Sequence, residues 1–287
     1  MKTWKKMVDE ELEEVAARKN LMIVDGMNLA FRFRNSSKPF ASEFVKTIFS
    51  LAKTYGAKDI IIVSDKGKSV FRKNICPEYK ANRDEKFASM TEEEKDQSKQ
   101  FFEFYNEALD LCMTKLPTFF KKGVEGDDLA AYAVTVLEDK YEHIWLVSTD
   151  GDWDTLLAEN VSRFSYTTRK EYHLHTFYEA HNCDTPEQFV SLKAIKGDLG
   201  DNIRGVEGIG DKRGYGILRE YGSVLDIVDS LPLPGKQTFI KNLNNSEEIM
   251  LRNLYLVDLR SFCTEAIEAV GDNYLAEYTA ALQGIAQ

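Results

Sequence analysis

Carboxylates follow three apolar runs of the sequence, each at the point where the run stops. Asp25 ends the first run, Asp65 follows the second, and the pair Asp150 and Asp152 follows the third. Continuous apolar runs of this length are typical of parallel strands buried on both faces, and such sheets bind ligands beyond the carboxyl ends of their strands. Four carboxylates gathered there repel one another unless cations lie between them. The spacing therefore predicts a metal site.

Three further carboxylates, Glu125, Asp127 and Asp128, lie within four positions at the start of a helix predicted over 127–138. Carboxylates in a first helical turn commonly cap the helix and favour its dipole, which is one interpretation here. Three of them exceed what a cap requires, and this helix directly precedes the third apolar run. We therefore expect them at the same edge of the sheet.

Asp198 and Asp201 are spaced i, i+3 at the end of a helix predicted over 186–196, so both could face one ion. The Gly-rich segment that follows predicts a tight hairpin into another helix, with Lys212 and Arg213 in its first turn. Glycines let backbone N–H groups approach phosphates, and a helix N-terminus favours anions. A Gly-rich turn without a ligand is the alternative, but the paired basic residues favour contact with a nucleic-acid backbone.

Residues 67–90 combine basic and aromatic side chains with little apolar periodicity. The basic residues are Arg72, Lys73, Lys80, Arg83 and Lys86, and the aromatic residues are Phe71, Tyr79 and Phe87. A solvated surface loop is one interpretation. The other is a basic lid beside the metal cleft that grips single-stranded nucleic acid by charge and stacking. The residues alone leave both open.

The elements that must position these residues alternate between strands and helices, which predicts an α/β fold with a central, mostly parallel sheet flanked by helices. A short strand is predicted over 118–121, and a hairpin over 163–174 turns at 167–170. Helices are predicted over 5–19, 42–55, 91–115, 215–221, 224–231, 241–256 and 273–285, and Thr91 with Glu94 has the spacing of a capping box.

His173 and His175 lie two positions apart in the predicted hairpin and could imitate a pair of zinc ligands. No cysteine or third histidine is well placed nearby to complete a zinc site. We therefore interpret the two histidines as an ordinary strand surface.

Length and composition limit the class of protein. The 287 residues suffice for one large core, or for one core and a small appended module. No apolar run approaches the roughly 20 residues of a membrane-spanning helix, and the charged N-terminus lacks the apolar core of a signal peptide. The scattered cysteines suggest free thiols in a reducing compartment. We expect a cytoplasmic globular protein with free thiols at Cys76, Cys112, Cys183 and Cys263.

The formal net charge of −10 argues at first against a polyanionic partner. However, the nine carboxylates discussed above account for nearly all of it, and setting them aside leaves −1. Divalent cations bound among them would reverse the local field. The net charge therefore does not exclude nucleic acid.

Six motifs occur in the order seen in 5′-nucleases of the flap endonuclease family, which the sequence resembles from about Asn20 to its end. The motifs are Val-Asp-Gly at 24–26, Ser-Asp at 64–65, Tyr-Lys-Ala-Asn-Arg at 79–83, Glu-Gly-Asp-Asp at 125–128, Ser-Thr-Asp-Gly-Asp at 148–152 and the hairpin at 196–213. The similarity is greatest to the free-standing coliphage members. It implies an α/β catalytic region over 1–185, with a helical arch at about 67–95, and a helical region over 186–287 with a helix-hairpin-helix motif for DNA, in a single compact unit.

The resemblance also implies a phosphodiesterase that uses two divalent ions, Mg²⁺ or Mn²⁺. The residues implied around the first ion are Asp25, Asp65, Glu125, Asp127, Asp128 and Asp150. Those implied around the second ion are Asp150, Asp152, Asp198 and Asp201. Two ions roughly 4 Å apart can activate a water, stabilise the departing oxygen and neutralise the phosphate. Hard carboxylate ligands, without a catalytic His or Cys, suit that chemistry.

Basic and hairpin residues acquire roles through the same resemblance. Lys80 and Arg83 would act in catalysis together with Asp150, and Lys80 would bind the scissile phosphate more strongly as charge develops. Tyr79 would stack on the substrate. The implied DNA contacts are Arg32, Arg34, Arg72, Tyr79, Lys80, Arg83, Lys196, Gly208, Gly210, Lys212 and Arg213. The hairpin could also hold a potassium ion through backbone carbonyls at Val206 and Ile209.

The expected substrate is flapped, nicked or otherwise 5′-ended DNA in replication, processed by a monomer without a membrane partner. A sliding-clamp partner is not expected, because 277–287 lacks the paired aromatic residues of a clamp-binding tail. Two other functions stay open: a ribonuclease that removes RNA primers with the same site, and a non-catalytic structure-specific DNA-binding protein. The complete set of nine carboxylates argues against the second.

Overall fold

A computed structural model describes residues 19–286 of the chain. Six strands form one sheet: β1 Asn20–Asp25, β2 Ala57–Val63, β3 Thr118–Phe119, β4 His143–Val147, β5 Val161–Ser165 and β6 Lys170–Tyr172. Their order is β3-β2-β1-β4-β5-β6, and every neighbouring pair is parallel except the antiparallel β5 and β6. The predicted mostly parallel sheet and its terminal hairpin are confirmed. The helix predicted over 5–19 lies almost wholly outside the described residues.

Seven α-helices are described before residue 185, and a 3-10 helix over Gly151–Leu156 follows β4. They are α1 Gly26–Ala30, α2 Ala41–Thr54, α3 Val70–Ile75, α4 Ala81–Ala88, α5 Glu92–Met113, α6 Gly126–Leu137 and α7 Phe177–His181. The capping box is confirmed at the start of α5, where the Thr91 hydroxyl accepts from the N–H of Glu94 and the Glu94 carboxylate accepts from the N–H of Thr91.

The C-terminal part is helical, with a two-stranded ribbon near its start. The ribbon pairs β7 Gly197–Asp198 with β8 Ile203–Arg204. The helices are α8 Pro186–Lys196, α9 Asp211–Tyr221, α10 Val224–Asp229, α11 Thr238–Asn244, α12 Glu247–Val257, α13 Leu259–Glu268 and α14 Tyr274–Ile285.

The structure corrects the single helix predicted over 241–256. Helix α11 ends at Asn244, whose side chain accepts from the N–H of Leu233 and donates to its carbonyl, at 2.8 and 2.9 Å. These bonds tie Asn244 to a neighbouring loop, and α12 begins as a separate helix. The sequence did not predict α13, although Asp258 caps it by accepting from the N–H of Ser261 at 3.0 Å.

The central strand β1 is buried on both sides. Leu21 and Ile23 pack on one face against α6, α13 and α14, whereas Met22 and Val24 pack on the other face against α2 and α5. All four side chains are inaccessible to solvent. This alternation follows from the period of two in a strand, and it leaves the carboxyl edge of the sheet uncovered for polar groups.

A third core lies within the helical region, among α8, α9, α10 and α12. Cys76 and Tyr79, from the turn between α3 and α4, are buried in it. Residues 67–90 are therefore more than the surface loop considered above. They form two helices whose junction is anchored in a core, while residues 83–89 of α4 and its end stay exposed.

No helix of the described part combines the length and apolar character needed to cross a membrane. All four cysteines are buried free thiols, as predicted. The His173 ring stacks on His175 with centroids 5.1 Å apart, and its Nδ1 lies 2.8 Å from the Ser162 hydroxyl. Both histidines thus have packing partners at the sheet edge.

Candidate active site

Asp25 is the last residue of β1, and Asp65 and Asp150 lie just after the carboxyl ends of β2 and β4, as predicted. Asp25 accepts from the N–H of Asn28 at 3.0 Å and from the Ser148 hydroxyl at 2.8 Å. The same hydroxyl accepts from the N–H of Asp150 at 3.1 Å. Ser148, which the sequence reasoning did not single out, therefore bonds to two of the predicted metal ligands and fixes their positions relative to each other.

The start of α6 adds two carboxylates to this edge. Asp65 accepts from the N–H of Gly126 at 2.5 Å, so the strand end and the helix start are joined directly. Asp127 accepts from the indole N–H of Trp153 at 2.7 Å. Glu125 occupies the N-cap position, but its side chain makes no capping bond. The capping interpretation is therefore wrong for Glu125, whose carboxylate turns towards Lys80 instead.

Asp128 does not face this cleft. Its two carboxylate oxygens accept from the guanidinium of Arg72 at 2.7 and 2.8 Å, and neither side chain reaches solvent. The structure thus corrects two predictions. Asp128 forms a buried ion pair, not a direct metal ligand, and Arg72, which is 2% exposed, is a structural residue without access to DNA.

Lys80 lies over the cleft at the start of α4. Its ammonium is 2.8 Å from Glu125 and 3.6 Å from Asp201. Its backbone has a left-handed conformation, with φ of 54°, and its N–H donates to the carbonyl of Asp201 at 2.9 Å. Arg83 reaches the other oxygen of Asp201 at 2.8 Å. The two basic residues predicted for catalysis are thus adjacent to the carboxylates.

Tyr79 requires a correction. The sequence predicted stacking on the substrate, but the side chain is 2% exposed. Its hydroxyl lies 2.9 Å from Glu125 and 3.0 Å from Asp201, and its single hydrogen is shared between these two acceptors. Tyr79 therefore joins these two carboxylates from beneath and cannot present its ring to DNA.

A second set of carboxylates lies further out. Asp152 and Asp198 both bond to the ammonium of Lys193, at 2.5 and 2.8 Å. The sequence placed Asp198 and Asp201 on one ion through helical spacing, but α8 ends at Lys196 and the two residues lie in the ribbon and its turn. The helical placement predicted for them is therefore wrong, and in this structure they face different basic side chains.

The turn of the ribbon is fastened to the base of α4 at several points. Asn82 donates to the carbonyls of Leu199 and Gly200 at 3.1 and 3.2 Å. Asn202 donates to the carbonyl of Glu78 at 2.8 Å. Together with the bond between the Lys80 N–H and the Asp201 carbonyl, these contacts fix Lys80 relative to the helical region.

The electrostatics divide the carboxylates into two classes. We call Asp25, Asp65, Asp127 and Asp150 the inner carboxylates. Burial, followed by the charge of Asp65, raises the pKa of Asp25 to about 7. Burial and neighbouring carboxylates also raise the pKa values of the other three, although Asp65 and Asp150 open onto solvent that screens part of the effect.

Glu125 and Asp198 belong to the other class. Burial acts to raise the pKa of Glu125, but the charges of Lys80 and Arg72 outweigh it and lower that pKa. Burial also acts to raise the pKa of Asp198, but the charge of Lys193 outweighs it and lowers that pKa. The protein thus supplies its own cations to these two carboxylates, whereas the inner carboxylates are left in mutual repulsion that a divalent cation would relieve.

The inner carboxylates fit a metal by the chemistry of their donors, which are hard oxygens of the type that Mg²⁺ and Mn²⁺ bind. Within residues 19–286, however, no three Asp, Glu, His or Cys side chains already converge on one point.

The predicted hairpin over 205–210 is present and leads into α9. A Cβ atom on Gly205 would lie 2.0 Å from the carbonyl carbon of Lys196, so only glycine fits this close approach. Gly208 has φ of 82°, and its carbonyl accepts from Arg213, whose guanidinium lies over the Phe239 ring. Arg213 therefore braces the hairpin, while Gly208, Gly210 and Lys212 are exposed.

The remaining predicted DNA contacts lie at the periphery. Arg32 and Arg34 are exposed beyond β1. Lys196 bonds to Asp211 at 2.5 Å. At the predicted potassium position, the carbonyl of Val206 accepts from the N–H of Ile209 at 3.1 Å. These roles stay predictions.

Sequence reasoning missed a buried network beneath the site. Asp154, which is inaccessible to solvent, accepts from Arg163 at 2.5 and 2.7 Å and lies 2.7 Å from His181. Its only sequence signal was its place in Asp-Gly-Asp-Trp-Asp. Lys193 was also missed, because its position in a helix does not reveal which carboxylates it faces.

Two family models match the chain. One describes the N-terminal resolvase-like domain of 5′-3′ exonucleases and matches residues 20–182. The other describes their C-terminal SAM fold and matches residues 184–270. The flap endonuclease of Escherichia phage T5 is 62% identical over 288 residues, which cover 100% of this chain and 99% of that protein.

Solved structures give the same picture. A phage T5 protein co-crystallised with metal ions matches with a TM-score of 0.91 at 62% identity, over 94% of this chain and 100% of that one. A phage T5 flap endonuclease with DNA and metal ions also has a TM-score of 0.91 and 62% identity, over 93% and 99% of the two chains. The chain belongs to the 5′-3′ exonuclease family, the flap endonucleases, which are metal-dependent nucleases.

Proposed function

We propose that this chain is a structure-specific 5′ nuclease that hydrolyses phosphodiester bonds of flapped or 5′-ended DNA during replication. The observation that carries the proposal is the set of inner carboxylates at the carboxyl edge of the sheet, beside the ammonium of Lys80. Mutually repelling carboxylates suit divalent cations, and a neighbouring lysine suits a phosphate. The phage T5 flap endonuclease, with its metal ions and DNA, supports the same chemistry here.

We assign two ions, Mg²⁺ or Mn²⁺, to this site. The inner carboxylates hold the first ion in the proposal, and Asp150, Asp152, Asp198 and Asp201 hold the second. Bound ions supply an activated water and stabilise the departing oxygen. Glu125 and Asp128 are left out as direct ligands, because each is buried as well as paired with a basic side chain. Asp152, Asp198 and Asp201 are also paired, but their side chains reach solvent, where an ion can approach them.

The side chains of the protein position the DNA and balance its charge. Lys80 binds the scissile phosphate in the proposal. The carboxylate of Glu125, 2.8 Å from the Lys80 ammonium, holds that ammonium in the cleft. Arg83, which is exposed, adds positive charge on the same side. Because Tyr79 and the carbonyl of Asp201 fix this segment, little rearrangement is needed when negative charge develops on the phosphate.

The hairpin serves as the contact for duplex DNA in the proposal, through exposed backbone at Gly208 and Gly210 and through Lys212. A potassium ion at the carbonyls of Val206 and Ile209 would strengthen that contact. The exposed part of α4 and the start of α5 form an arch for the single-stranded 5′ arm.

We further propose that the catalytic region, 1–185, and the helical region, 186–287, work as one compact monomer. The burial of Cys76 and Tyr79 in the helical core supports this, because the two regions share those side chains. The four buried free thiols are in keeping with action in the cytoplasm of the host cell.

The test is cleavage of a 5′-labelled DNA flap with Mg²⁺, compared with EDTA, with a matched blunt duplex and with a flap whose 5′ strand is RNA. We expect metal-dependent product cut near the junction of the DNA flap. Cleavage of the RNA strand alone would replace the proposal with a ribonuclease. Binding without cleavage in every metal would indicate a non-catalytic DNA-binding protein.

A further inference from the structure

Lys193 occupies the space between two carboxylates of the proposed second metal site. It extends from α8, is 6% exposed, and its ammonium lies 2.5 Å from Asp152 and 2.8 Å from Asp198. Asp152 comes from the 3-10 helix after β4 and Asp198 from the ribbon. A single amino group thus bridges the catalytic sheet and the helical region.

An ammonium and a divalent ion cannot share this position. The Lys193 nitrogen contacts Oδ1 of Asp152 and Oδ2 of Asp198, and an ion bound at about 2.0–2.1 Å to these same two oxygens would take the place of the nitrogen. The positive charges would also repel each other across a short distance in a partly buried cleft. Lys193 must leave before these two oxygens bind one ion.

The surroundings leave Lys193 a place to go. It lies on the wall of an open cavity of about 580 Å³, which is also lined by Asp152, Phe189, Lys196 and the Gly197–Gly200 segment. A DNA phosphate entering this cavity would offer the ammonium an alternative anionic partner.

We infer that Lys193 controls loading of the second divalent ion by acting as a built-in competitor for Asp152 and Asp198. Without DNA, its ion pairs weaken ion binding at these carboxylates. With DNA, the phosphate draws the ammonium away and the ion enters, so that the second ion loads together with the substrate. The inference rests on the proposed function for the identity of the second site.

The test measures Mn²⁺ binding to the full chain without DNA, by electron paramagnetic resonance of free Mn²⁺. Lys193→Met removes the charge and keeps most of the aliphatic side chain. We expect the weaker of two binding steps to become about tenfold tighter, or more, because the competitor is gone. Adding Asp152→Asn to Lys193→Met should abolish the gain.

Lys53→Met is the control, since Lys53 is an exposed lysine on α2 that does not line the cavity at Asp152 and Asp198. Its Mn²⁺ binding should equal that of the wild type. Unchanged or weaker Mn²⁺ binding by a folded Lys193→Met protein would overturn the inference.

A wild-type measurement keeps the inference testable if the variant does not fold. Crystals soaked in increasing Mn²⁺ should show anomalous signal at Asp152 and Asp198 only where the Lys193 side chain has moved away. An ion bound to both carboxylates with Lys193 still in place would exclude competition. Mn²⁺ binding is measured without cleavage, so a failure of the flap assay and a failure of this inference are distinguishable.

Discussion

The guanidinium of Arg72 donates to both carboxylate oxygens of Asp128 in a region that solvent does not reach. Burial acts to lower the pKa of Arg72, but the charge of Asp128 outweighs it and raises that pKa, so the guanidinium stays charged. Its Nε also donates to the carbonyl of Leu256 at 3.0 Å. This pair joins α3, α6 and α12 at the back of the active site.

Arg72→Met should therefore destabilise the protein strongly, because it leaves the Asp128 charge buried without a partner. Breaking a buried pair in this way costs about 3–5 kcal/mol. Urea denaturation would measure the change in the free energy of unfolding. The double variant with Asp128→Asn should regain part of the loss, and Arg34→Met, at an exposed site, should change little. A loss of DNA binding with wild-type stability would restore Arg72 as a DNA contact.

Lys80→Ala should lower the turnover of 5′-ended DNA by about 10²–10³-fold, the range seen when one group that stabilises developing charge is removed. Much of the DNA affinity should remain, because the proposed contacts with duplex DNA lie elsewhere, at the hairpin. Single-turnover cleavage and fluorescence anisotropy would separate the two effects. Lys46→Ala, at an exposed position of α2, is the control. Turnover like that of the wild type would remove Lys80 from catalysis.

Tyr79→Phe distinguishes a buried hydrogen-bond donor from a stacking platform. The change keeps the ring but leaves Glu125 and Asp201 without a hydroxyl partner. We expect the free energy of unfolding to fall by about 1–3 kcal/mol, the cost of an unsatisfied buried polar group. DNA affinity of the folded variant should stay the same. A variant with unaltered stability would contradict this role of the hydroxyl.

The stability of the metal-free protein should depend on pH through the inner carboxylates. Their raised pKa values mean that the folded state binds protons more tightly than the unfolded state does. The contribution of these carboxylates to the free energy of unfolding is therefore fully present below about pH 4. It is lost as the pH rises through about 7, the pKa of Asp25. Melting temperatures in EDTA should fall between pH 5 and 8.

Mg²⁺ should reverse that loss, and its stabilising effect should grow with pH because ions bind the ionised carboxylates. An ion present at a hundred times its dissociation constant adds about 2.7 kcal/mol to the free energy of unfolding. Asp25→Asn with Asp127→Asn should flatten the dependence on pH in EDTA. Metal-free stability that rises across this interval would show that these carboxylates do not repel one another.

Gly205→Ala should disrupt the hairpin, because the added Cβ would overlap the backbone of Lys196, which cannot move aside. We expect affinity for duplex DNA to fall by about tenfold, or roughly 1.4 kcal/mol. Gly216→Ala, on an exposed face of α9 with no atom within 4 Å of the new Cβ, is the matched control. Equal affinities for the two variants would separate duplex binding from the hairpin.

The strand ends were predictable from the sequence because a parallel sheet brings its carboxyl ends to one edge whatever the details of packing. Asp25, Asp65 and Asp150 therefore lie where their apolar runs placed them. The basic partners of Asp152 and Asp198 were not predictable. Lys193 is separated from Asp152 by 41 positions, and only the packing of α8 on the catalytic region decides that they meet.

The errors share that cause. Arg72 and Tyr79 looked like surface residues because their segment lacks apolar periodicity, yet each is buried by a partner far away in the chain. The helix break after Asn244 likewise depends on the hydrogen bonds between Asn244 and Leu233, which helical periodicity does not predict. Local patterns predicted which elements form, whereas long-range contacts decided which charges face each other.

The bonds between the ribbon turn and the base of α4 have a mechanical consequence. Lys80 is held by Asp201, and Asn82 and Glu78 are held by the residues on either side of it. The turn is continuous with the hairpin through β8. Under the proposed function, a displacement of the hairpin on DNA binding would therefore reach Lys80 through one short stretch of backbone.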